Sequence, residues 1–303
     1  MSDTAPPAPS ALTLGTAQLG LPYGQVVRSA PPDEDGALAL LDAAWDGGVR
    51  AFDTAAAYGP AEDRIGAWRR ARGQRPFLVT RLPKAEDAPD AASILAACHT
   101  AGRRLAAGTI DIMLVHRPAD AGLPGVVEGL RAAVDAGVVG RFGVSVYTPE
   151  EAGRALDIPG TGALQIPLSV ADRRFVDQGI VGRAAAAGVL VFARSVYLQG
   201  VLLMPPAAPP AFLAPLRPLI AALGVLAREA GVAPAALALA AVGRVPGVAS
   251  TVVGAADPGD LAETLAAAAE TVPDEAVAAA IAAGRDTPEA LLDPRNWPGT
   301  GSP

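Results

Sequence analysis

The chain has 303 residues, of which 51% are hydrophobic and 18% are charged, and it carries a formal net charge of −7. This balance can bury a large core, and the acidic excess, with no Lys/Arg cluster interleaved with aromatic residues, argues against nucleic acid as a partner. One cysteine, Cys98, and two histidines, His99 and His116, exclude an internal disulfide and leave too few ligands for a zinc site, so no metal is expected.

Residues 1–10 contain Asp3 and several prolines where a signal peptide would have a basic start and an apolar run. This composition predicts a loose N-terminal tail. The longest mildly apolar stretch, Ala233 to Val242, is far shorter than the roughly 20 residues of a membrane span. We therefore expect a cytoplasmic protein with no membrane partner.

Short runs rich in apolar and β-branched residues then alternate with longer alanine-rich segments that have helical spacing, which predicts parallel strands joined by helices. The predicted strands are Leu12 to Gly15, Val49 to Asp53, Phe77 to Arg81, Ile110 to His116, Val139 to Ser145, Ala163 to Ile166, Val189 to Ala193 and Val248 to Val253. The predicted helices include Asp33 to Asp46, Ala88 to Leu105, Gly125 to Ala136, Phe175 to Ala187 and Pro218 to Ala230.

Eight strands with intervening helices predict one α/β domain over residues 1–303, a single (β/α)8 TIM barrel. An open doubly wound sheet is the competing fold, but the glycines of Gly15 to Gly20 have the wrong spacing for a dinucleotide-binding loop. The proline-rich segment Leu203 to Pro218 predicts a long connection after the seventh strand. Residues 285–303, with Trp297, are expected to fold back over the barrel as coil.

Functional groups of TIM barrels lie at the C-terminal ends of the strands, so polar residues that end apolar runs are the candidates. Asp53, Arg81 and His116 each end such a run, and Tyr58 follows Asp53 by five residues. Taken one at a time, each has an ordinary structural role. Asp53 is typical of a helix cap, Arg81 of an ion pair, His116 of a buried histidine with its hydrogen bonds made, and Tyr58 of a half-buried ring. Together they supply an acid, a cation, an imidazole and a hydroxyl, which is what polarising a carbonyl and delivering a proton require.

Several segments along nearly the whole chain carry a family resemblance. They read GTAQLG at 15–20, FDTAAAYG at 52–59, DIMLVHRP at 111–118, GVS at 143–145, LQIP at 164–167, and RS with LQG at 194–200. The chain thereby resembles the aldo-keto reductase family, in the branch whose members begin with GTAQLG. The resemblance implies hydride transfer between a nicotinamide cofactor and the carbonyl of an aldehyde, ketone or sugar. It implies Tyr58 as proton donor, His116 as the residue that orients the carbonyl oxygen, and Asp53 with Arg81 as the groups that tune the phenol.

The resemblance also implies a set of cofactor contacts. Ser145 and Gln165 match the positions that hold the nicotinamide carboxamide, and Glu263 matches an adenine contact. The remaining implied cofactor-binding residues are Gly15, Thr16, Arg194, Ser195 and Gly254. The cofactor is expected to be NADH or NADPH, and the only expected partner is a small-molecule carbonyl substrate.

Two positions depart from the family pattern. Arg81 stands where the family has Lys, with Lys84 too displaced to replace it, and we expect its guanidinium to hold Asp53 in a bidentate pair that draws charge away from Tyr58 and slows catalysis. Gly254 and Asp260 stand where classical NADPH-using members carry Lys and Arg. Losing two cations beside the 2′-phosphate predicts that NADH binds at least as well as NADPH.

Three other functions compete with the reductase hypothesis. A barrel that binds cofactor but has a regulatory role would explain Arg81, and a lyase or isomerase could use Asp53 and His116 as base and acid without cofactor. Gly143 to Tyr147 nearly matches a serine-hydrolase nucleophile elbow, but Tyr147 replaces the final glycine and no histidine follows Ser145 in the sequence. Cofactor binding separates the reductase from the lyase, and turnover separates it from the regulatory barrel.

Overall fold

The computed structural model describes residues 8–24, 30–84 and 89–298. Its eight parallel strands form a closed barrel in chain order, and the last strand pairs with the first. This architecture confirms the predicted (β/α)8 TIM barrel. The strands are β1 Leu12–Gly15, β2 Ala51–Asp53, β3 Phe77–Arg81, β4 Ile110–Val115, β5 Val139–Ser145, β6 Thr161–Pro167, β7 Leu190–Arg194 and β8 Val248–Gly254.

Helices cover the outside of the barrel between successive strands. They are α1 Glu34–Asp46, α2 Ala61–Arg72, α3 Ala91–Arg104, α4 Pro124–Asp135, α5 Pro149–Leu156, α6 Arg174–Asp177, α7 Ile180–Ala186, α8 Arg217–Ala230, α9 Pro234–Gly243, α10 Pro258–Ala269 and α11 Asp274–Gly284. Short side chains cap several of them at the N-terminus. Asp33, Asp90 and Asp257 each accept backbone N–H groups of the first turn, and Thr148 and Glu151 form a reciprocal capping box.

Most predicted elements differ from the observed ones by one or a few residues at their ends, and two of the differences have a clear physical reason. The second strand begins at Ala51 instead of Val49, because the Val49 N–H donates to the Ala44 carbonyl and so belongs to the turn that leaves α1. The predicted helix over Phe175 to Ala187 is split into α6 and α7. Gly179 adopts a left-handed conformation with φ 73° between them, which ends the first helical turn.

The alternation of side chains along the strands creates two hydrophobic layers. One layer packs the strands against the surrounding helices, and the other is a smaller cluster formed by Ala51, Phe77, Val79, Ile112, Leu114, Ala163, Phe192 and Val252. Members of the smaller cluster recur two residues apart on the same strand, which places them together on the inward face of the barrel. The barrel opens at the C-terminal ends of its strands, and this opening is called the mouth. The same alternation, continued to the strand ends, determines which residues face the mouth.

The segment after β7 contains more regular structure than a plain connection. Short 3-10 helices span Val201–Leu203 and Ala211–Leu216, and the second continues directly into α8. The combined helical segment Ala211–Ala230 is long and apolar enough, by length and composition alone, to cross a membrane, so the expectation that Ala233 to Val242 is the longest apolar stretch is wrong. In the barrel, α8 buries Leu219, Ile220 and Leu223 against the outer layer.

Both ends of the described chain contact the barrel. Ser10, within the predicted tail 1–10, accepts the Arg50 N–H at 2.8 Å through its hydroxyl, and its carbonyl accepts from Ser250. Residues 1–7 lie outside the described residues. After α11 the chain forms 3-10 turns at Glu289–Leu291 and Pro294–Asn296, and Trp297 is buried against Phe212 with ring centroids 5.9 Å apart.

Candidate active site

Strand alternation brings most of the predicted polar residues to the same rim. Asp53 lies two residues beyond Ala51, Arg81 two beyond Val79, and Gln165 two beyond Ala163, so all three side chains continue inward-facing columns. Arg194 continues the column of Phe192 in the same way. Because the strands are parallel, these columns end together at the C-terminal mouth, where TIM barrels carry their sites.

Asp53, Arg81, Gln165 and Tyr58 form one hydrogen-bonded network at the mouth. The Arg81 Nη2 donates to Asp53 Oδ2 at 2.9 Å and also to Gln165 Oε1, while Gln165 Nε2 donates to Asp53 Oδ1 at 2.9 Å. The Arg81 Nη1 donates to the Thr54 carbonyl at 2.7 Å and to the Tyr58 hydroxyl at 3.1 Å. The expected bidentate pair between Arg81 and Asp53 is therefore wrong, since only one guanidinium nitrogen contacts the carboxylate.

Tyr58 lies in the loop between β2 and α2, and its backbone fits against Gly20. A Cβ at Gly20 would overlap the Tyr58 carbonyl, so the GTAQLG segment ends in the residue that this close approach requires. The ring is buried, and burial raises the pKa of Tyr58 above its usual range, which the positive charge of Arg81 opposes. The phenol therefore carries its proton at neutral pH, and the Arg81 guanidinium lies beside its oxygen.

His116 follows the last residue of β4 and is partly buried. Burial, followed by the positive charges of Arg81 and Arg194, lowers the pKa of His116 to about 4. The imidazole is therefore neutral at pH 7 and can donate one hydrogen bond without adding a charge.

A cavity of about 540 Å³ opens above the network, a size typical of small-molecule sites. It extends from the catalytic candidates Asp53, Tyr58 and Arg81 past β1 and β7 to the end of β8. Among the predicted cofactor-binding residues, those that line it are Gly15, Thr16, Gln165, Arg194, Ser195 and Gly254. His116, Ser145 and Glu263 are not among the described residues that line it; Ser145 is buried at the end of β5, and Glu263 is exposed on α10.

The turn after β7 forms one wall of the cavity in an unusual backbone conformation. Ser195, Leu198 and Gln199 have φ values of 63°, 47° and 56°, followed by Gly200 at 86°. Left-handed residues other than glycine are uncommon and concentrate at functional sites. Arg194 precedes this turn and is held by the Ser195 hydroxyl at 3.2 Å, the Val146 carbonyl at 3.0 Å and the face of the Tyr147 ring, whose centroid lies 4.1 Å from the guanidinium carbon.

The wall at the end of β8, the strand that pairs with β7, has no cation among its described lining residues. A Cβ at Gly254 would lie 2.7 Å from Gln18 Nε2, so the Gln18 side chain occupies the space above this glycine. Asp260 also lines the cavity, and its Oδ2 accepts the Ala256 N–H at 3.1 Å near the start of α10. This wall combines a glycine, an amide and a carboxylate.

Two contributions to the site were missed from the sequence. Gln18 lies within the GTAQLG segment, so that motif contained a signal for it. Arg295, in the C-terminal tail, stacks on the face of the Tyr147 ring at 3.6 Å and is paired with Asp293 through Nη2 at 2.5 Å. Arg295 and Arg194 thus both stack on the Tyr147 ring. Nothing in the local sequence indicates this contact, because it joins segments almost 150 residues apart.

No group of three or more His, Cys, Asp or Glu that could hold a metal lies within the described part of the chain. Cys98 is buried on α3, and burial raises the pKa of its thiol to about 12.

The fold and the rim define the class: a TIM-barrel protein with a buried ionic network beneath an elongated cavity at the C-terminal ends of its strands. Residues 11–283 match the model of the Aldo/keto reductase family. The chain therefore belongs to the aldo-keto reductase family.

Known proteins are similar to this chain in fold or over part of its sequence. An aldo-keto reductase from Bacillus halodurans, solved in its holo form, is 21% identical with a TM-score of 0.75, over 95% of this chain and 96% of that chain. A glycerol dehydrogenase from Gluconobacter oxydans is 22% identical with a TM-score of 0.73, over 91% of each chain. At these identities the likeness concerns the fold alone. A pyridoxal 4-dehydrogenase from Microbacterium luteolum is 41% identical over 75 residues, which is 24% of this chain and only 20% of that protein.

Proposed function

We propose that the chain is a nicotinamide-dependent oxidoreductase that interconverts a small aldehyde, ketone or sugar carbonyl and its alcohol. The observation that carries the proposal is the 3.1 Å contact between the Tyr58 hydroxyl and Arg81 beside the buried Asp53, at the inner end of the cavity. Family membership supports the same chemistry.

The residues present fit a nicotinamide cofactor. The cavity runs from Tyr58 to the start of α10, and Gly15 and Gly254 line it between these ends. Gln165, Arg194 and Ser195 supply polar groups along that path. When bound, the reduced cofactor would supply the hydride that the carbonyl carbon accepts.

Tyr58 has the properties of the proton donor in the reducing direction. Its phenol retains the proton until the carbonyl oxygen gains negative charge, and the O–H bond then breaks toward that oxygen. Arg81 stabilises the phenolate that remains, and Asp53 fixes the guanidinium. We assign to neutral His116 the hydrogen bond that orients the carbonyl oxygen on family membership alone, because His116 is not among the described residues that line the cavity.

We also propose that NADH binds at least as well as NADPH. Gly254 and Asp260 leave the β8 wall without the two cations that would bind a 2′-phosphate, and each charge-assisted bond to a phosphate contributes roughly 1.5 to 3 kcal/mol. A cytoplasmic location, with neither nucleic acid nor membrane as partner, stays a prediction.

The alternative is a barrel that binds cofactor but has a regulatory role. The observation that favours it is the guanidinium at position 81, whose four hydrogen-bond partners hold it in the network. Such a protein would bind cofactor and leave every carbonyl unchanged.

One experiment in two stages tests the proposal. Fluorescence titration with NADH and NADPH measures the two dissociation constants, and turnover is then measured with a panel of aldehydes, ketones and sugars that includes glyceraldehyde and pyridoxal. We expect binding of both cofactors without a tenfold preference for NADPH, and oxidation of the cofactor with at least one carbonyl. Binding without any turnover would favour the regulatory barrel, and failure of both cofactors to bind would favour a cofactor-independent lyase or isomerase.

A further inference from the structure

Gln165 occupies an unusual place in the ionic network. Its side chain lies between Asp53 and Arg81, accepting from Arg81 Nη2 and donating to Asp53 Oδ1 at 2.9 Å. All three side chains are buried, with exposed fractions of 3% for Asp53, 4% for Arg81 and 0% for Gln165. The amide is thus a third member of a closed ring of hydrogen bonds with the ion pair.

Chemical complementarity fixes the orientation of this amide. Turning it by half a rotation would place its NH2 group against the guanidinium N–H groups and its carbonyl oxygen against the carboxylate. Both contacts would then be repulsive inside a buried site. Gln165 therefore has one arrangement that satisfies both neighbours.

The ring explains why Arg81 and Asp53 do not form the expected bidentate pair. A guanidinium and a carboxylate prefer two parallel N–H···O bonds, which would use both carboxylate oxygens. Here the amide lies between Asp53 Oδ1 and Arg81 Nη2 and bonds to both, and the guanidinium contacts only Oδ2. The Nη1 group stays free of Asp53 and reaches Thr54 and the Tyr58 hydroxyl instead.

We infer that Gln165 is a positioning residue that keeps Arg81 from closing onto Asp53 and thereby holds Nη1 against the Tyr58 hydroxyl. A guanidinium has a longer reach and more donors than an ammonium group, so this restraint is needed for an arginine at position 81. The inference rests on the proposed function for the role of Tyr58. The inference is compatible with a contact between Gln165 and the nicotinamide carboxamide, because one N–H and one lone pair of the Gln165 amide are not used by Asp53 and Arg81.

The direct test is the crystal structure of Gln165→Met, which keeps the length and the apolar stem of the side chain but removes its hydrogen bonds. We expect Arg81 to make two N–H···O bonds to Asp53 and to leave the Tyr58 hydroxyl. An unchanged contact between Nη1 and Tyr58 would overturn the inference. This readout needs neither cofactor nor turnover, so it is independent of whether the proposed function is right.

Kinetics supply the second readout, as a cycle of Gln165→Met and Arg81→Lys. If Gln165 acts through Arg81, Gln165→Met should lower kcat at least about tenfold in the parent and distinctly less in the Arg81→Lys background, because an ammonium group does not form the bidentate pair. Equal fold losses in the two backgrounds would mean that Gln165 acts only on the cofactor and would overturn the inference.

Ser145→Ala is the matched control for the cycle. Ser145 shares the implied carboxamide role with Gln165 and pairs with it in register across β5 and β6, but it is not among the four partners of Arg81. Its effect on kcat should be the same in both backgrounds. Should Gln165→Met fail to fold, Gln165→Asn, which keeps the amide but is too short to span both partners, takes its place with the same expected outcomes.

Discussion

The inner and outer ends of the cavity differ in how their charged groups are buried and paired. At the inner end, Asp53, Arg81, Gln165 and Tyr58 are buried and each is hydrogen-bonded to another member of the group. At the outer end, the β8 wall carries Gly254, the Gln18 amide and the exposed carboxylate of Asp260. Charges at the inner end are compensated within the protein, whereas no cation lies at the outer end among the residues that the structure describes.

This difference separates positions where substitution should damage the protein from positions where it should change selectivity. A buried charge that loses its partner destabilises the fold, because water cannot replace the partner. An exposed charge can be changed at little cost in stability. The four predictions that follow test this contrast, beginning with the largest expected effect.

Arg81→Met should lower the free energy of unfolding by about 3–5 kcal/mol, the usual cost of leaving one member of a buried ion pair alone. Asp53, only 3% exposed, would retain Gln165 as its side-chain partner and lose its cation. Urea denaturation measures the effect. The control is Arg72→Met, which breaks a solvent-accessible pair with Asp42 and should cost far less. Similar losses in the two variants would contradict the contrast between buried and exposed charge.

Tyr58→Phe should lower turnover at least about a hundredfold, the usual scale of general acid catalysis, and leave cofactor affinity nearly unchanged. The substitution keeps the ring in place and removes only the hydroxyl that Arg81 contacts. Steady-state kinetics and cofactor titration measure the two effects. Tyr23→Phe is the comparison, because this second phenol is partly buried and lies near the charges of Arg194 and Arg81. If Tyr23→Phe abolishes turnover while Tyr58→Phe does not, the proton donor is Tyr23.

Asp260→Arg should tighten NADPH binding at least about tenfold relative to NADH, since one charge-assisted bond to the 2′-phosphate contributes more than the 1.4 kcal/mol that a tenfold change requires. Asp260→Asn is the control that removes the negative charge without adding a positive one, and it should shift the preference by less. Titration with both cofactors measures the ratio of dissociation constants. An unchanged ratio in Asp260→Arg would place the adenosine end of the cofactor elsewhere.

His116→Gln should make the free energy of unfolding fall less steeply as the pH is lowered. Burial, together with the charges of Arg81 and Arg194, lowers the pKa of His116 from 6.5 to about 4. Between these two pH values the unfolded chain binds a proton at His116 that the folded protein does not. The stability contributed by neutral His116 is therefore present above about pH 6.5 and is lost as the pH falls toward 4. Urea denaturation across this range measures the slope, with His99→Gln on the exposed side of α3 as control. Equal slopes in the parent and His116→Gln would show that the imidazole takes up its proton in the folded state.

The barrel was predictable because parallel strands buried on both faces leave long apolar runs, and the ends of those runs identify Asp53, Arg81 and His116 from the sequence alone. The partners at the mouth were not predictable in the same way. Gln165 bridges Asp53, 112 residues earlier in the chain, through an amide whose choice of neighbour depends on side-chain geometry. The bidentate expectation for Arg81 was wrong for this reason: it considered Arg81 and Asp53 alone, whereas Gln165 also donates to that carboxylate.

The left-handed turn after β7 also bears on how far the molecule can be stabilised. Holding Ser195, Leu198 and Gln199 at positive φ costs roughly 1–2 kcal/mol for each residue. The net stability of a typical domain is only about 5–15 kcal/mol, so this strain is a large fraction of it. Substituting glycine at one of these positions should raise the free energy of unfolding by relieving the strain. The most suitable position is Gln199, because Gly200 directly after it already adopts a left-handed conformation. Directed evolution toward heat resistance should therefore find early gains in this turn, and the same gains would loosen the wall against which a ligand lies.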